Sequence, residues 1–508
     1  MKFFSKLSVT LLPLLFCALG AGAQKAPDAP KAIWHAPAKL RLDTSLLPLI
    51  PTTGYTLAPA GGPYTLAQLI DLAEEHNPQT RLAWQRAKAR AAELGIARSA
   101  WYPTFAALAL ASTARERVLL NSQFYRQTFG NFSPELHAEY LVLDFGGRSG
   151  KIDAARWNLL ASDLNFNDTH RRIIFAVMSA YYRLLDAQGL EQAAQVSLKN
   201  AQAVAADVSD RLKHGLATSP DLLEAQAAEA QAEYDLQNAI GYDQIARGNL
   251  ATVLEISPDT PFSVAGVNTL TLPTSLTDTV QAETSRALRE RPDLAALLAK
   301  IKAANAVITE QRSAYYPVLT FSGDGGLTRQ YGAQDQLAPA YALGETWDAS
   351  LELKWTLFDG GLRRNQVAQA VAERAQARAE VDDLIDQIAN GVWAAHTNVV
   401  TALRQRTAAT ALVGAAQQSY EATRASYNYG VRNILDVIAA QKALAQAQAE
   451  SVTASAQLLL QTANLAFQTG DLLSMRLPST ATSTSGTATS TPSTGTQPLV
   501  PGMAPTGR

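Results

Sequence analysis

The sequence contains a long internal duplication, which limits the chain to folds built from two similar halves. Between Asn77 and Phe467 a second copy follows the first at a spacing of 214 to 215 residues. Matching positions are Pro78 and Pro292, Tyr102-Pro103 and Tyr316-Pro317, Asp144 and Asp359, Gly215 and Gly430, and Asn249 to Ala251 and Asn464 to Ala466. Solenoid repeats run to only roughly 20–50 residues, so the duplicated unit is half a protein. Because the matches fall at prolines, glycines and turns, the duplication preserves an architecture.

The two ends of the chain differ in composition from the duplicated region. Residues 1–23 are predicted to be a signal peptide, because two lysines precede an apolar stretch and a small-residue cleavage site. Export of the mature chain is therefore expected. Residues 24–64 form an extension rich in proline and alanine. Residues 476–508 form a Ser/Thr-rich tail whose composition predicts disorder, since it offers little apolar surface to bury.

Composition excludes several kinds of chemistry. The only cysteine, Cys17, lies inside the predicted signal, and Phe16 before it is not the small residue that lipidation requires. We therefore expect no lipid anchor, disulfide or thiol chemistry in the mature chain. A net charge of −2 gives no general attraction to nucleic acid. The histidines lack metal-site spacing and no nucleophile motif is present, so neither a cofactor nor an enzymatic activity is predicted.

Each copy predicts the same series of elements, the first over residues 65–280 and the second over 281–475. In the first copy these are a helix over 65–102, strands over 104–112 and about 134–144, a long helix over 147–214, and a return helix over 219–255. The long segment contains no proline and would form a helix of ~100 Å at 1.5 Å per residue. The two shorter helices together match it in length, as a tube wall of uniform height requires.

The second copy contains a clear amphipathic strand. Apolar residues alternate with polar ones from Trp347 to Leu357, a length that crosses a bilayer as a tilted strand. The predicted lipid-facing residues are Trp347, Leu351, Leu353 and Trp355. No later stretch reaches the ~20 apolar residues of a membrane helix, so membrane insertion would use strands. One face of a soluble β-sandwich is the alternative interpretation.

The return helices carry a heptad pattern. In the second copy it comprises Val437, Ala440, Leu444, Ala447, Ser451, Ala454, Leu458, Gln461 and Leu465, and in the first Leu222, Ala225, Glu229, Ala232, Leu236, Ala239, Asp243, Ala246 and Leu250. Such a register predicts coiled-coil packing with close helix approach at the alanines. Without the strands, an ordinary dimeric coiled coil would explain it equally well.

Four strands per chain are too few to close a barrel alone. Strands in lipid must form a closed barrel, because an open edge leaves backbone groups unpaired, and bacterial barrels begin at about eight strands. Two, three or four copies of the chain would give eight, twelve or sixteen strands by this arithmetic. The strand count alone leaves these alternatives open.

The chain resembles the TolC-type outer-membrane efflux family over residues 65 to 475. The resemblance rests on Tyr102-Pro103 and Tyr316-Pro317, on Leu357 to Gly361 with its counterpart Val142 to Gly146, and on the segments Leu212 to Gln226 and Tyr427 to Gln441. It implies a mixed α/β membrane protein: a homotrimer with one 12-stranded outer-membrane β-barrel and a long α-helical coiled-coil barrel in the periplasm. It also implies an outer-membrane exit duct for efflux or type I secretion, working with an adaptor and an inner-membrane pump.

The resemblance places an entrance gate at the far ends of the long helices. Its gate positions match Tyr427, Arg432, Asp436 and Asp221. Three copies of Asp436 would form a cation-attracting ring, and the other residues are expected to hold the helix ends inward through bonds involving Asp221. The alternative is that both aspartates only cap the return helices. Ala439 stands where relatives carry a second acidic residue, which argues against a doubled ring.

The tip turns Gly215, Leu216, Gly430 and Val431 are the predicted adaptor contacts, with glycines supplying φ > 0 at the helix ends. Two other functions are alternatives to the exit duct. A periplasmic coiled-coil adaptor would carry one hairpin between β-domains, which the duplication argues against. A structural envelope protein would explain the heptads and not the strand pairs. A passive duct carries no signature of its cargo, which the pump selects.

Overall fold

The computed structural model describes residues 62–120, 122–266, 272–276, 278–334 and 338–473. All of these belong to one compact unit, residues 55–508. The second unit, residues 1–54, lies outside the described residues. So do the predicted signal peptide, nearly all of the Pro/Ala-rich extension and the predicted Ser/Thr-rich tail.

The two halves contain the same elements in the same order. The first half has α1 (Leu66–His76), α2 (Pro78–Ser99), β1 (Thr104–Leu120), β2 (Gln123–Leu143), α3 (Gly147–Lys213) and α4 (Ser219–Val253). The second half has α5 (Val280–Glu290), α6 (Pro292–Ser313), β3 (Val318–Gln334), β4 (Ala340–Lys354), α7 (Leu362–Asn428) and α8 (Ile434–Thr469). The long helices α3 and α7 each have 67 residues.

The predicted single helix over residues 65–102 is wrong, because the chain breaks at Asn77 into α1 and α2. Asn77 has extended backbone, and its side-chain oxygen accepts a hydrogen bond from the Gln79 amide at 2.8 Å. Pro78 lacks an amide hydrogen and disfavours helical backbone at the residue before it. Proline is well suited to the first position of a helix, so it starts α2 and does not lie within a longer helix.

The strands are longer than predicted. The expected loop between the first two strands is itself strand, because β1 continues to Leu120 and β2 begins at Gln123. The intervening turn contains Ser122 with a positive φ of 67°. Arg115 donates to the Thr128 hydroxyl at 3.0 Å across this hairpin. This part of β1 is exposed on both faces, so charged residues can occupy it. A charged segment without an apolar face did not indicate a strand in the sequence.

The four strands form one antiparallel sheet in the order β1-β2-β3-β4. Each half contributes a hairpin, and pairing of β2 with β3 joins the two hairpins. The sheet therefore spans both halves, with β1 and β4 as its edges. The predicted contribution of four strands agrees with this sheet.

The helices form a row in which α3 packs on both α4 and α8, and α8 packs on α7. This order, α4-α3-α8-α7, leaves α4 and α7 at the two edges of the row. None of the predicted heptad positions in α4 and α8 is exposed, so the predicted packing seam is confirmed for these positions. Buried leucines, valines and alanines from both halves therefore make one continuous helical wall.

A buried ion network ties the two halves together at mid-height. The side chain of Arg171 in α3 is 1% exposed and donates to Asp168 at 2.9 Å and to the Phe467 carbonyl of α8 at 2.7 Å. Its guanidinium also lies 3.3 Å from Asp293 at the start of α6. Burial lowers the pKa of Arg171, and the nearby Asp168 carboxylate opposes that shift. The network fixes α3 of one half to α6 and α8 of the other.

Candidate functional site

The sheet has one apolar and one polar face across β2, β3 and β4. In register, Leu351 of β4 lies beside Phe321 of β3, which lies beside Tyr140 of β2. The next row, on the opposite face, contains Ser350, Ser322 and Glu139. Since neighbouring residues of a strand point to opposite faces, Trp347 and Leu353 of β4 extend the apolar face, and Asp348, Glu352 and Lys354 extend the polar one. The arrangement suits a wall between lipid and water.

The polar face carries a row of titratable side chains. His137 Nδ1 lies 2.7 Å from Asp324 Oδ1, and Asp348 is paired with Asp324 on the other side. The glycine-rich segment around Asp324 lies within β3. A Cβ at Gly326 would overlap the Pro134 carbonyl oxygen, so close packing requires glycine there. Nothing lies within 4 Å of the equivalent position at Gly325.

Of the four residues predicted to face lipid, three lie in β4 and one lies beyond its end. Trp347, Leu351 and Leu353 lie in β4 and are highly exposed in the single chain. Trp355 lies beyond the end of β4 at Lys354, so its assignment to the strand is wrong. Its indole nitrogen donates to the Tyr315 carbonyl at 3.1 Å, which fixes it at the corner between strand and helix. Exposed aromatic residues at this level are typical of a membrane interface.

The corner between strand and long helix is built in the same way in both halves. Gly146 and Gly361, with φ of 99° and 90°, adopt left-handed backbone just before α3 and α7. Arg148 donates to the carbonyls of Leu141 and Ala100 at 2.8 and 3.1 Å. Arg363 pairs with Asp359 at 2.6 Å. These arginines tie the sheet to the helices, so the sheet and the helical wall are mechanically continuous.

The other end of the helical wall is formed by two tip turns. Gly215 and Gly430 have φ of 76° and 75°, as predicted for glycines that end helices. Leu216 and Val431 next to them are 75% and 77% exposed. Two exposed apolar side chains therefore project from the end of the hairpins.

Three of the four predicted gate residues, Asp221, Arg432 and Asp436, make local contacts at the start of the return helices. The carboxylate of Asp221 accepts hydrogen bonds from the backbone N–H and hydroxyl of Thr218, at 2.8 and 2.7 Å. These bonds lower the pKa of Asp221. Arg432 Nη1 lies 3.5 Å from Asp436 Oδ2, and both side chains are exposed. In the described tip Asp221 thus caps α4 and is not bonded to Arg432 or Tyr427, which differs from the expected arrangement.

Arg211 is a tip residue that the sequence analysis missed. It lies in the last turn of α3 and pairs with Asp207 at 3.1 Å. Its guanidinium donates to the Asn428 side chain at 2.7 Å and lies 4.6 Å from the centroid of the Tyr427 ring, both at the end of α7. Burial raises the pKa of the Tyr427 hydroxyl, and the nearby carboxylates of Asp207 and Asp221 add to this rise. We call Arg211, Tyr427 and Asn428 the tip latch, because they join the two hairpins of one chain.

Two further kinds of site, a metal site and a membrane-spanning helix, bear on what the described residues can do. Within them, no group of three or more histidine, cysteine, aspartate or glutamate side chains is arranged to hold a metal ion. In the same part of the chain, no helix combines the length and the apolar character that a bilayer span requires.

A sheet with one apolar and one polar face is typical of outer-membrane channel proteins, whose strands contact lipid on one side and water on the other. The model of the family described as outer membrane efflux protein matches residues 69–254 and 284–471, most of the chain. The chain belongs to this family. The predicted resemblance to TolC-type efflux proteins, the channel function and the outer-membrane location are thereby confirmed.

Individual relatives agree with this assignment. Protein CyaE of Bordetella pertussis is 30% identical over 62% of this chain, but the match spans less than two thirds of that relative, 65% of its length. The pyoverdine export outer membrane protein OpmQ of Pseudomonas putida is 27% identical over 86% of this chain and 92% of its own. A membrane protein structure from Pseudomonas aeruginosa, 24% identical, gives a TM-score of 0.69 over 80% of this chain and 93% of its own, which supports the fold.

Proposed function

We propose that three copies of this chain form a single outer-membrane duct, which passes substrates from the periplasm to the exterior. An adaptor and an inner-membrane pump would supply the substrates and the energy. The observation that carries this proposal is the four-strand sheet, with its separated faces and its two edges at β1 and β4. Each further step of the proposal follows from what those edges and faces require.

The edges require partner strands. In hydrocarbon every backbone N–H and C=O group needs a hydrogen-bond partner, so the edges β1 and β4 must be covered by other strands. Joining β4 of one copy to β1 of the next closes a ring without a free edge. Three copies give a 12-stranded barrel, within the range of bacterial barrels that begins at about eight strands.

The faces determine the orientation of the sheet. The row of Leu351, Phe321 and Tyr140 would face lipid, because polar side chains on that surface are costly in hydrocarbon. The row of Ser350, Ser322 and Glu139 would face a water-filled lumen. Trp355, fixed at the corner, would lie at the periplasmic boundary of the bilayer.

The gate would lie at the tip turns, at the opposite end of the helical wall from the sheet. The tip latch holds the two hairpins of a copy together, and three copies of the exposed Asp436 would surround the entrance. Exposed ion pairs such as Arg432 with Asp436 contribute only about 0–1 kcal/mol each. A closed tip held by such contacts could therefore open when an adaptor binds.

The adaptor would bind the tip turns themselves. Leu216 and Val431 expose apolar surface at the end of the hairpins, where an incoming helical partner could cover it. The relative OpmQ is named a pyoverdine export outer membrane protein, which supports small molecules as the substrate class of this chain.

Two measurements test the proposal. Cross-linking in native membranes is expected to trap a species of three chains, and a dimer or monomer as the largest stable species would contradict the duct. In planar bilayers, Asp436→Ala is expected to lower the preference for cations, because it removes three carboxylates from the entrance. Thr410→Ala, which alters an exposed residue of α7 away from the tip, serves as the control. An unchanged selectivity in Asp436→Ala would place the selective constriction elsewhere.

A further inference from the structure

Two large apolar side chains lie uncovered on the opposite edges of the helix row. Trp393 of α7 is 61% exposed and Ile245 of α4 is 62% exposed. Their counterparts 215 residues away in the other half are Met178 and Leu460. Both counterparts are partly buried and pack against the same apolar cluster, which includes residues of α3 and α8. The edges therefore expose surface that the interior of the row covers.

The α3–α8 joint inside the chain provides a template for covering these edges. In that joint Ser197 of α3 meets Gln441 of α8, and Gly189 meets Val452. Since α7 is the counterpart of α3 and α4 that of α8, the same joint can form between α7 of one copy and α4 of another. In the template, Met178 of α3 lies at the level of Leu460 and Ala463 of α8. Adding 215 to the α3 position gives Trp393 of α7, and subtracting 215 from the α8 positions gives Ile245 and Gly248 of α4. The same joint would therefore place Trp393 of one copy at the level of Ile245 and Gly248 of another.

The outer face of α4 has the shape that this joint needs. Leu223, Tyr234, Gly241, Ile245 and Gly248 follow helical spacing on the face opposite to the packing seam. A Cβ at Gly241 would meet nothing within 4 Å, and one at Gly248 would meet only Pro258, at 3.9 Å. Glycine inside a helix is destabilising relative to alanine, so these glycines are not explained by packing within one chain.

Side-chain sizes at the two joints are complementary. The internal joint uses a methionine at position 178 and an alanine at position 463. At the edges the larger Trp393 replaces the methionine, and the smaller Gly248 replaces the alanine. A bulkier projection therefore faces a deeper groove, which keeps the distance between the helices similar.

We propose that Trp393 of one copy packs on Ile245 and Gly248 of the neighbouring copy and anchors the helical part of the assembly. This inference rests on the proposed ring of three copies and identifies the surface through which the helices close it. Tryptophan is one of the residue types enriched among the packed, desolvated anchors of protein interfaces. The joint between copies is then a repetition of the joint between the two halves of each copy.

A pair of cysteines tests the contact directly, because the only native cysteine is Cys17 in the predicted signal peptide. The double variant W393C/I245C, treated in membranes with a short bifunctional methanethiosulfonate reagent, is expected to give covalent trimers on a non-reducing gel. The matched control is W393C/Y242C. Tyr242 is 63% exposed on the same helix, but its counterpart Gln457 is exposed in the internal joint, so it should cross-link far less.

The outcomes separate this contact from the duct itself. A trimer by native mass that fails to cross-link in W393C/I245C overturns the proposed joint and leaves the proposed duct intact. If the wild-type protein, without any cross-linker, is not a trimer by native mass, the proposed duct itself is wrong.

A size exchange provides a second test that does not depend on cross-linking geometry. Gly248→Leu is expected to lower the temperature at which the trimer dissociates on semi-native gels, because leucine fills the space of Trp393. Combining it with Trp393→Ala should restore part of that temperature. Within one chain a Cβ at position 248 would meet only Pro258, at 3.9 Å, so we expect the monomer fold to accept the substitution. A double variant that dissociates at a temperature no higher than Gly248→Leu alone would contradict the direct contact.

Discussion

The contacts of the tip latch allow a quantitative prediction about how the proposed gate would be held closed. Arg211→Ala removes the hydrogen bond from the guanidinium to Asn428, at 2.7 Å, and the contact with the Tyr427 ring, at 4.6 Å. The Arg211 side chain is 23% exposed, so solvent screens it only in part. A hydrogen bond of ~1 kcal/mol and a cation–π contact of ~0.5–1 kcal/mol would be lost between the two hairpins of each copy.

This loss has a measurable consequence for gating. About 1.5 kcal/mol corresponds to roughly a tenfold increase in the ratio of open to closed tips, and to roughly a thousandfold increase if three tips open together. Single-channel recording in planar bilayers measures this ratio as the fraction of time spent in the open state. Arg211→Lys keeps the charge but loses the planar donor group, so an intermediate open fraction is expected.

A nearby residue provides the control. Lys213 lies in the same last turn of α3 and pairs with Asp210 at 2.8 Å, with both side chains about 70% exposed. It makes no contact with the other hairpin in the described tip, so Lys213→Ala should leave the open fraction unchanged. If Arg211→Ala matches Lys213→Ala and the wild type, the latch does not hold the channel closed.

Three further predictions concern the sheet, the ion network and the cap. Leu351→Arg should make the free energy of barrel assembly less favourable by ~2–4 kcal/mol near the bilayer midplane, whereas Ser350→Arg on the polar face should be tolerated. The folding yield into vesicles measures both effects, and equal yields would refute the assignment of faces. Arg171→Ala should destabilise by ~3 kcal/mol in thermal unfolding, because it removes the buried hydrogen bonds to Asp168 and the Phe467 carbonyl and leaves Asp168 with the exposed Arg172 as its partner, while Arg172→Ala, whose side chain is 65% exposed, should cost at most ~1 kcal/mol. The pKa of Asp221 is lowered in the folded state, so its cap stabilises α4 above the unfolded pKa of ~3.9 and is lost as pH falls through the folded pKa. The protection factor of the amides at the start of α4, which corrects for the pH dependence of intrinsic exchange, should therefore fall in acid, and a pH-independent protection factor would contradict the cap.

Most element boundaries could be predicted because the duplication repeats its turns. Gly147 and Gly215 enclose α3, and the strand-to-helix corners recur with the same residues in each half. The helix predicted over 65–102 misses the break at Asn77, because helix-forming residues flank Pro78 on both sides. The extra strand length was missed because alternating polar residues resemble a loop when neither face is buried.

The tip latch could not have been found from the sequence. Arg211 and Asn428 are 217 residues apart, which is not the 215-residue spacing of the duplication, so no repeated pattern relates them. Their contact depends on how the ends of two long helices converge, and that is set by packing along the whole seam. Asp221, in contrast, follows Thr218 at capping-box spacing, so its capping role lies within reach of a local sequence pattern.

The length of β2 determines where exported molecules are released. Only about 9–11 residues are needed to cross the hydrocarbon as a tilted strand, and β2 has 21. At ~3.4 Å per residue and a tilt of ~45°, such a strand rises ~50 Å, against ~30 Å of hydrocarbon. The outer part of the sheet, where Arg115 bonds to Thr128, would then stand as a rigid spout above the lipid headgroups. An apolar molecule leaving the spout would enter the surrounding medium well away from the outer leaflet, which would reduce its return into the membrane of the cell that expelled it.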